Sequence, residues 1–147
     1  MKSRYIKIPY TPSIAATVRS SPNKDTFFLR RELIQYAMQF ENKFYEDGGV
    51  SPTKGDDCSG FIQTIFKAKS MFLPRTIRLQ AKSGRVIPMN QIQPGDLIFY
   101  RRFGVINHVA LYIGQEKVIH FDRPKTVIIV SNYDYREPSK AVTYFDL

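Results

Sequence analysis

A single cysteine, Cys58, and two histidines, His108 and His120, are the residues of this 147-residue chain whose types suit nucleophilic chemistry. Cys58 sits in Gly55 to Gln63, Gly-Asp-Asp-Cys-Ser-Gly-Phe-Ile-Gln, and Phe61, Ile62, Ile65 and Phe66 recur at helical spacing just after it. The cysteine is therefore expected in the first turn of a helix. Asp57 is a good N-cap type, able to accept a hydrogen bond from the first free backbone N–H groups, and Gly55 loosens the approach. Those N–H groups and the positive end of the helix dipole favour a thiolate, and such settings bring a thiol pKa down to roughly 3.5 to 7.5. The competing reading is a small buried hydrophobe, which is what most lone cysteines are.

The two histidines must be positioned by a hairpin. Val109, Leu111 and Ile113 alternate with His108, Ala110 and Tyr112 as in a half-buried strand, and Val118 to Phe121 reads as the strand that returns. If Ile113 pairs with Lys117 across Gly114, Gln115 and Glu116, Ala110 faces His120 and His108 lies one diagonal away on the same side. Diagonal neighbours are ~7 to 8 Å apart, within reach of two imidazoles. A two-residue or four-residue loop without a β-bulge would split them across the sheet. A thiol at a helix start, a histidine to take its proton and a second polar group to orient that histidine are the parts of covalent catalysis. Each imidazole could instead be structural. A Cys, His, His zinc site also competes, although the spacing matches no common zinc pattern.

The remaining elements frame these three residues. Met1 to Pro22, with Pro9, Pro12 and Pro22, reads as an extended arm, and the arm is bounded at residue 24. From Asp25, the spacing of Leu29, Leu33, Ala37, Phe40 and Phe44 predicts an amphipathic helix ending near Glu41, with Asn42 as a left-handed stop. Phe44 to Asp56, holding Gly48, Gly49, Pro52 and Gly55, is a loop that delivers the chain to Cys58. The Cys58 helix is expected to reach about Lys69. Pro74 suits the first position of a short helix over Arg75 to Lys82 that Gly84 closes. Pro94-Gly95-Asp96 turns into a strand over Leu97 to Tyr100, and Thr126 to Val130 and Val142 to Phe145 complete an antiparallel series. Helices followed by strands define an α+β domain over residues 25–147.

With one Cys, neither an internal disulfide nor a Cys-x-x-Cys metal framework is available. The net charge of +9 favours acidic partners such as nucleic acid, anionic lipid or anionic cell-wall polymer without choosing among them. Basic pairs such as Arg30-Arg31 and Arg101-Arg102 are scattered as on a solvated surface. No RNA-recognition signature or phosphate-cradling loop supports a nucleic-acid binder. No run approaches the ~18 apolar residues of a membrane span, and Met1 to Tyr10 lacks the apolar region of a signal peptide.

Tyr45-x-x-Gly48-Gly49 and Asp57-Cys58-Ser59-Gly60 resemble the motifs of the NlpC/P60 family of papain-like cysteine peptidases. Leu73-Pro74-Arg75-Thr76 with Gln80, then Pro94-Gly95-Asp96-Leu97, His108 to Gly114 and Ile119-His120 follow in the family's order. The similarity covers roughly Asp25 to Phe121. It implies a papain-like fold with N-terminal helices packed on an antiparallel sheet, Cys58 as nucleophile, His108 as general base and His120 as its orienter. Tyr45 would join the Cys58 backbone N–H in holding the oxyanion, and Asp57 and Ser59, flanking the nucleophile, would take part in oxyanion or substrate binding. The implied reaction is hydrolysis of the D-γ-glutamyl to diamino acid bond of peptidoglycan stem peptides by a monomer. It needs no cofactor or metal and would take place in periplasm, cell wall or outside the cell. A related Cys-His amidase or acyltransferase is the alternative. Asp47 stands where the family often has Trp, so a pocket wall is expected to differ. Arg75 is the candidate partner for the free α-carboxylate beside the scissile amide, with helix N–H groups adding to anion binding.

Overall fold

The computed structural model describes residues 22–44 and 57–146. Tyr45 and the Gly48-Gly49 pair lie outside them, as does the extended arm up to residue 21. The first helix, α1 (Pro22–Met38), begins three residues before Asp25. Proline fits there because the first turn needs no intrahelical N–H and its fixed φ is already helical. Leu33 and Ala37 are fully buried. After Met38 the chain tightens into turns, with Gln39, Phe40 and Glu41 N–H groups reaching back three residues, and Asn42 stops it at φ 67°. Phe44 does not continue the buried stripe, because it lies past this stop, bridged to Val127 and exposed.

The second helix, α2 (Asp57–Lys67), buries every residue from Asp57 to Ile62 together with Ile65 and Phe66. It packs against α1 on one side and the sheet on the other. The third, α3 (Ile77–Ser83), starts later than expected: Thr76 is its N-cap, with the side chain accepting from Leu79 N–H at 3.3 Å. Pro74 and Arg75 therefore precede the helix, and a hydroxyl rather than proline geometry sets its start. Gly84 closes α3 with ordinary extended φ. What requires glycine is room, since a Cβ there would run into the Val142 side chain and come within 2.9 Å of the Thr143 carbonyl.

The strands are β1 (Arg85–Ile87), β2 (Leu97–Arg102), β3 (Val105–Gly114), β4 (Lys117–Asp122), β5 (Val127–Asn132) and β6 (Pro138–Thr143). They form an antiparallel sheet in the order β1-β6-β2-β3-β4-β5. The last strand runs earlier than the Val142 to Phe145 expected, and β1 was not foreseen. Nor is β3 half-buried, for Val109, Ala110 and Leu111 are all at 0% exposure. Alternate residues of β2, β3 and β4 divide between two apolar clusters. Leu97, Phe99, Val109, Leu111, Ile119 and Phe121 join the helices, while Ile98, Tyr100, Ala110 and Val118 join a smaller cluster with Met89, Ile92, Tyr112 and Tyr133.

A buried ion pair fastens α1 to the turn that starts β2. Arg30 donates to Asp96 at 2.9 Å and to the Pro94 carbonyl at 2.9 Å, with its guanidinium 4.2 Å from the centre of the Phe145 ring. The second Asp96 oxygen accepts from Gln93 N–H at 2.9 Å, closing the turn around Gly95, whose φ of 103° suits glycine.

Candidate active site

The β3–β4 hairpin sets the histidines. Leu111 pairs with Ile119 and Tyr112 with Val118, which puts His120 across from Ala110 and His108 on the diagonal. This is the expected register reached by another route. The loop has two residues, Gln115 and Glu116, both at positive φ as in the tight hairpin turns, and a bulge between Tyr112 and Gly114 restores the parity. His108 Nε2 lies 2.9 Å from His120 Nδ1, and His120 Nε2 lies 3.0 Å from Ser131 Oγ on β5.

Aromatic rings close around this pair. Tyr135 stacks on His120 with centroids 4.9 Å apart, and Tyr100 lies 5.9 Å from His108 and 5.4 Å from Tyr135. Tyr100 is anchored by donating its hydroxyl to the Tyr133 carbonyl at 2.6 Å. The imidazoles are thus held by hydrogen bonds in their plane and by rings on their faces.

Cys58 arrives from the first turn of α2 with its sulfur against the backbone N–H of Val109, the neighbour of His108. Cys58, His108, His120, Ser131 and Tyr135 line one cleft of about 890 Å³, together with Arg102, Arg123 and Arg136. His108 Nε2 is engaged by His120, and Nδ1 takes no part in that contact.

Burial dominates the protonation states. It pushes the Cys58 thiol up to about 11, against the opposing pull of the Val109 and Ser59 N–H groups and of Arg123. The helix start therefore does not by itself make a thiolate here, because loss of water outweighs the N–H groups. Burial likewise pulls His108 down to about 3, assisted by His120, Arg136 and Arg123, and pulls His120 down to about 4, assisted by Arg136. These shifts favour a neutral thiol and neutral imidazoles at rest.

Ser59, next along α2, is fully buried, and its hydroxyl accepts from Arg75 Nη1 at 3.2 Å. Gln80, also fully buried, fixes this approach by donating to the carbonyls of Ser59 at 3.1 Å and Pro74 at 2.8 Å. Gln63 adds a bond to the Leu73 carbonyl at 2.9 Å. Asp57 is buried at the head of α2. The structure thus brings Cys58, His108 and His120 to one cleft and joins Arg75 to Ser59 beside it. Among the described residues no group of three or more His, Cys, Asp or Glu side chains converges as a metal site. Ser131, Tyr135, Arg123 and Arg136 were not singled out from sequence, and Arg102 was read only as part of a solvated basic pair, because their roles depend on which strands end up adjacent.

A cysteine at a helix start, set against a histidine pair on an antiparallel sheet, defines a papain-like α+β domain. Residues 42–145 match the model of the NlpC/P60 family, and the chain belongs to that family. The match extends beyond the sequence resemblance, through β6. The chain is 41% identical over 98 residues to the gamma-D-glutamyl-L-lysine dipeptidyl-peptidase of Bacillus subtilis (strain 168), covering 65% of this chain and 32% of that protein. It is 35% identical over 102 residues to the murein DD-endopeptidase MepS/murein LD-carboxypeptidase of Escherichia coli (strain K12), covering 69% and 53%. Among solved structures, an NlpC/P60 family protein from Bacillus cereus ATCC 10987 superposes with a TM-score of 0.69 at 30% identity, over 79% of this chain and 40% of the other. The chain spans 32% and 53% of the lengths of the two curated relatives.

Proposed function

We propose that this protein is a cysteine endopeptidase that hydrolyses the D-γ-glutamyl to diamino acid bond of peptidoglycan stem peptides. The observation that carries the reading is the His108 to His120 hydrogen bond of 2.9 Å in the cleft that Cys58 also lines. The name of the Bacillus subtilis relative supports the choice of bond.

In this reading the Cys58 proton passes to His108 Nδ1 as the sulfur attacks the amide carbonyl, so the thiolate forms by transfer within the site and not by loss to solvent. The backbone N–H of Cys58, with Tyr45, holds the oxyanion. His108 then protonates the departing amine, the C–N bond breaks, and a thioester joins the acyl group to Cys58. Water attacks the thioester with His108 as base, releasing the acid and restoring the thiol. His120 accepts from His108 Nε2–H throughout and stabilises the imidazolium.

A γ-linked D-glutamyl residue leaves its α-carboxylate free beside the scissile amide. Arg75, held against Ser59 Oγ one residue from the nucleophile, is our assignment for its partner. Arg102, Arg123 and Arg136 in the cleft favour an anionic substrate, and the net charge of +9 favours encounter with an anionic wall polymer. We place the activity at the cell wall or outside the cell, with the protein acting as a monomer; among the described residues no helix is long and apolar enough to cross a membrane. Mass analysis of a digested stem tetrapeptide tests the reading. The expected product is L-alanyl-D-glutamate with both carboxyls free. Free L-alanine, or cleavage between sugar and peptide, would move the protein to the amidase alternative.

A further inference from the structure

We infer that Ser131 is a positioning residue for the proton relay, accepting from His120 Nε2–H and so supporting, in the productive state, the tautomer of both histidines that lets His108 act as a base. The inference rests on the assignment of Cys58 and His108 as nucleophile and base, and it concerns a strand, β5, that contributes no residue to that assignment.

His108 Nε2 and His120 Nδ1 are 2.9 Å apart, so one carries the hydrogen and the other a lone pair. Two arrangements satisfy this contact. In the first, His108 Nε2–H donates to His120 Nδ1, His120 carries its proton on Nε2, and that N–H donates to Ser131 Oγ 3.0 Å away. His108 Nδ1 is then a bare lone pair, ready for the thiol proton. In the second, every hydrogen is reversed: Ser131 O–H donates to His120 Nε2, His120 Nδ1–H donates to His108 Nε2, and His108 Nδ1 carries a hydrogen and cannot take another.

Catalysis selects between them. Once His108 has accepted the thiol proton, both of its nitrogens bear hydrogen, so Nε2–H must find a lone pair on His120 Nδ1. That forces the His120 proton onto Nε2, toward Ser131. A hydroxyl at this position accepts the N–H in the productive state at no change of geometry, and the Tyr135 ring stacked on His120 prevents the imidazole from turning to satisfy itself elsewhere. Without the hydroxyl, His120 is free to carry its proton on Nδ1, where it opposes the imidazolium of His108. The pairing of the strands makes the placement specific: Val118 is opposite Ser131 and His120 opposite Ile129, so Ser131 is the diagonal neighbour of His120 on the same face.

The test reads the tautomer and the thiol separately from wall hydrolysis. Nitrogen NMR of ring-labelled full-length protein at neutral pH should show His120 protonated on Nε2 and His108 on Nε2. A His120 signal protonated on Nδ1 would overturn the inference, whether or not any variant folds. Ser131→Ala should lower the rate of Cys58 alkylation by iodoacetamide about tenfold, the worth of one hydrogen bond to a developing charge, while Ser131→Thr, which keeps the hydroxyl on a β-compatible side chain, should restore it to within about threefold. On a stem peptide the same loss should fall on kcat and leave KM unchanged. Alkylation by Ser131→Ala at the wild-type rate would refute the role. Slowed alkylation in a protein that cleaves no stem peptide would leave the relay standing and overturn the substrate assignment.

Discussion

Replacing His120 separates an orienting residue from a base, and the size of the effect can be worked from its contacts. His120 is 3% exposed, with Nδ1 2.9 Å from His108 Nε2, whose N–H it accepts in the proposed relay. In His120→Ala that N–H faces a void at the moment His108 becomes cationic. An unsatisfied buried donor costs about 1 to 3 kcal/mol, so kcat should fall about 5- to 150-fold. His120→Asn places an amide oxygen where it can accept the same hydrogen, and should keep activity within about tenfold of wild type. His108→Ala removes the proton acceptor itself and should approach the Cys58→Ala background. The assay is kcat and KM on a synthetic stem peptide, with melting curves to separate lost chemistry from the cavity left by the imidazole. Equal and complete loss in His120→Asn and His108→Ala, in variants that melt like wild type, would show that the two histidines do not divide the work in this way.

The depressed His108 and raised Cys58 values predict a broad pH profile. His108 must be neutral and Cys58 protonated at rest, so kcat/KM should stay flat between pH 5 and 8, and a limb centred near pH 6.5 would contradict the burial argument. Arg75→Ala should raise KM for a stem peptide about tenfold or more through loss of a charge-assisted contact, whereas unchanged kinetics would clear the residue of substrate binding. Gly84→Ala should destabilise the protein by about 1 to 3 kcal/mol in chemical denaturation, because the new methyl has no room against Val142 and Thr143. An unchanged denaturation midpoint would show that β6 yields there freely.

The parts legible in the sequence are those set by local periodicity. Phe61, Ile62, Ile65 and Phe66 announce α2 and put Cys58 in its first turn, and alternation in β3 and β4 marks two adjacent strands with one histidine each, whose shared face depended on the loop between them. The loop that achieves this was not legible, since a bulge at Ile113 and a three-residue loop give the same pairing. Nor could Pro138 be read as the start of a strand, because proline weakens that pattern unless its neighbours are known. Ser131 and Tyr135 became visible only with β5 beside β4 and the chain after it folded back over His120. Burial was the other hidden quantity: a helix start argues for a thiolate, and only the packing around Cys58 shows the opposing desolvation to be larger.

Cys58→Ala removes the nucleophilic sulfur itself while taking away only one atom and its proton. Hydrolysis of a stem tetrapeptide by this variant, followed by mass analysis of the released dipeptide, should fall to the uncatalysed background while circular dichroism and melting stay at wild-type values. Retention of more than about 1% of wild-type kcat/KM by the folded variant, well above what oxyanion stabilisation and binding alone retain, would contradict that role for the sulfur.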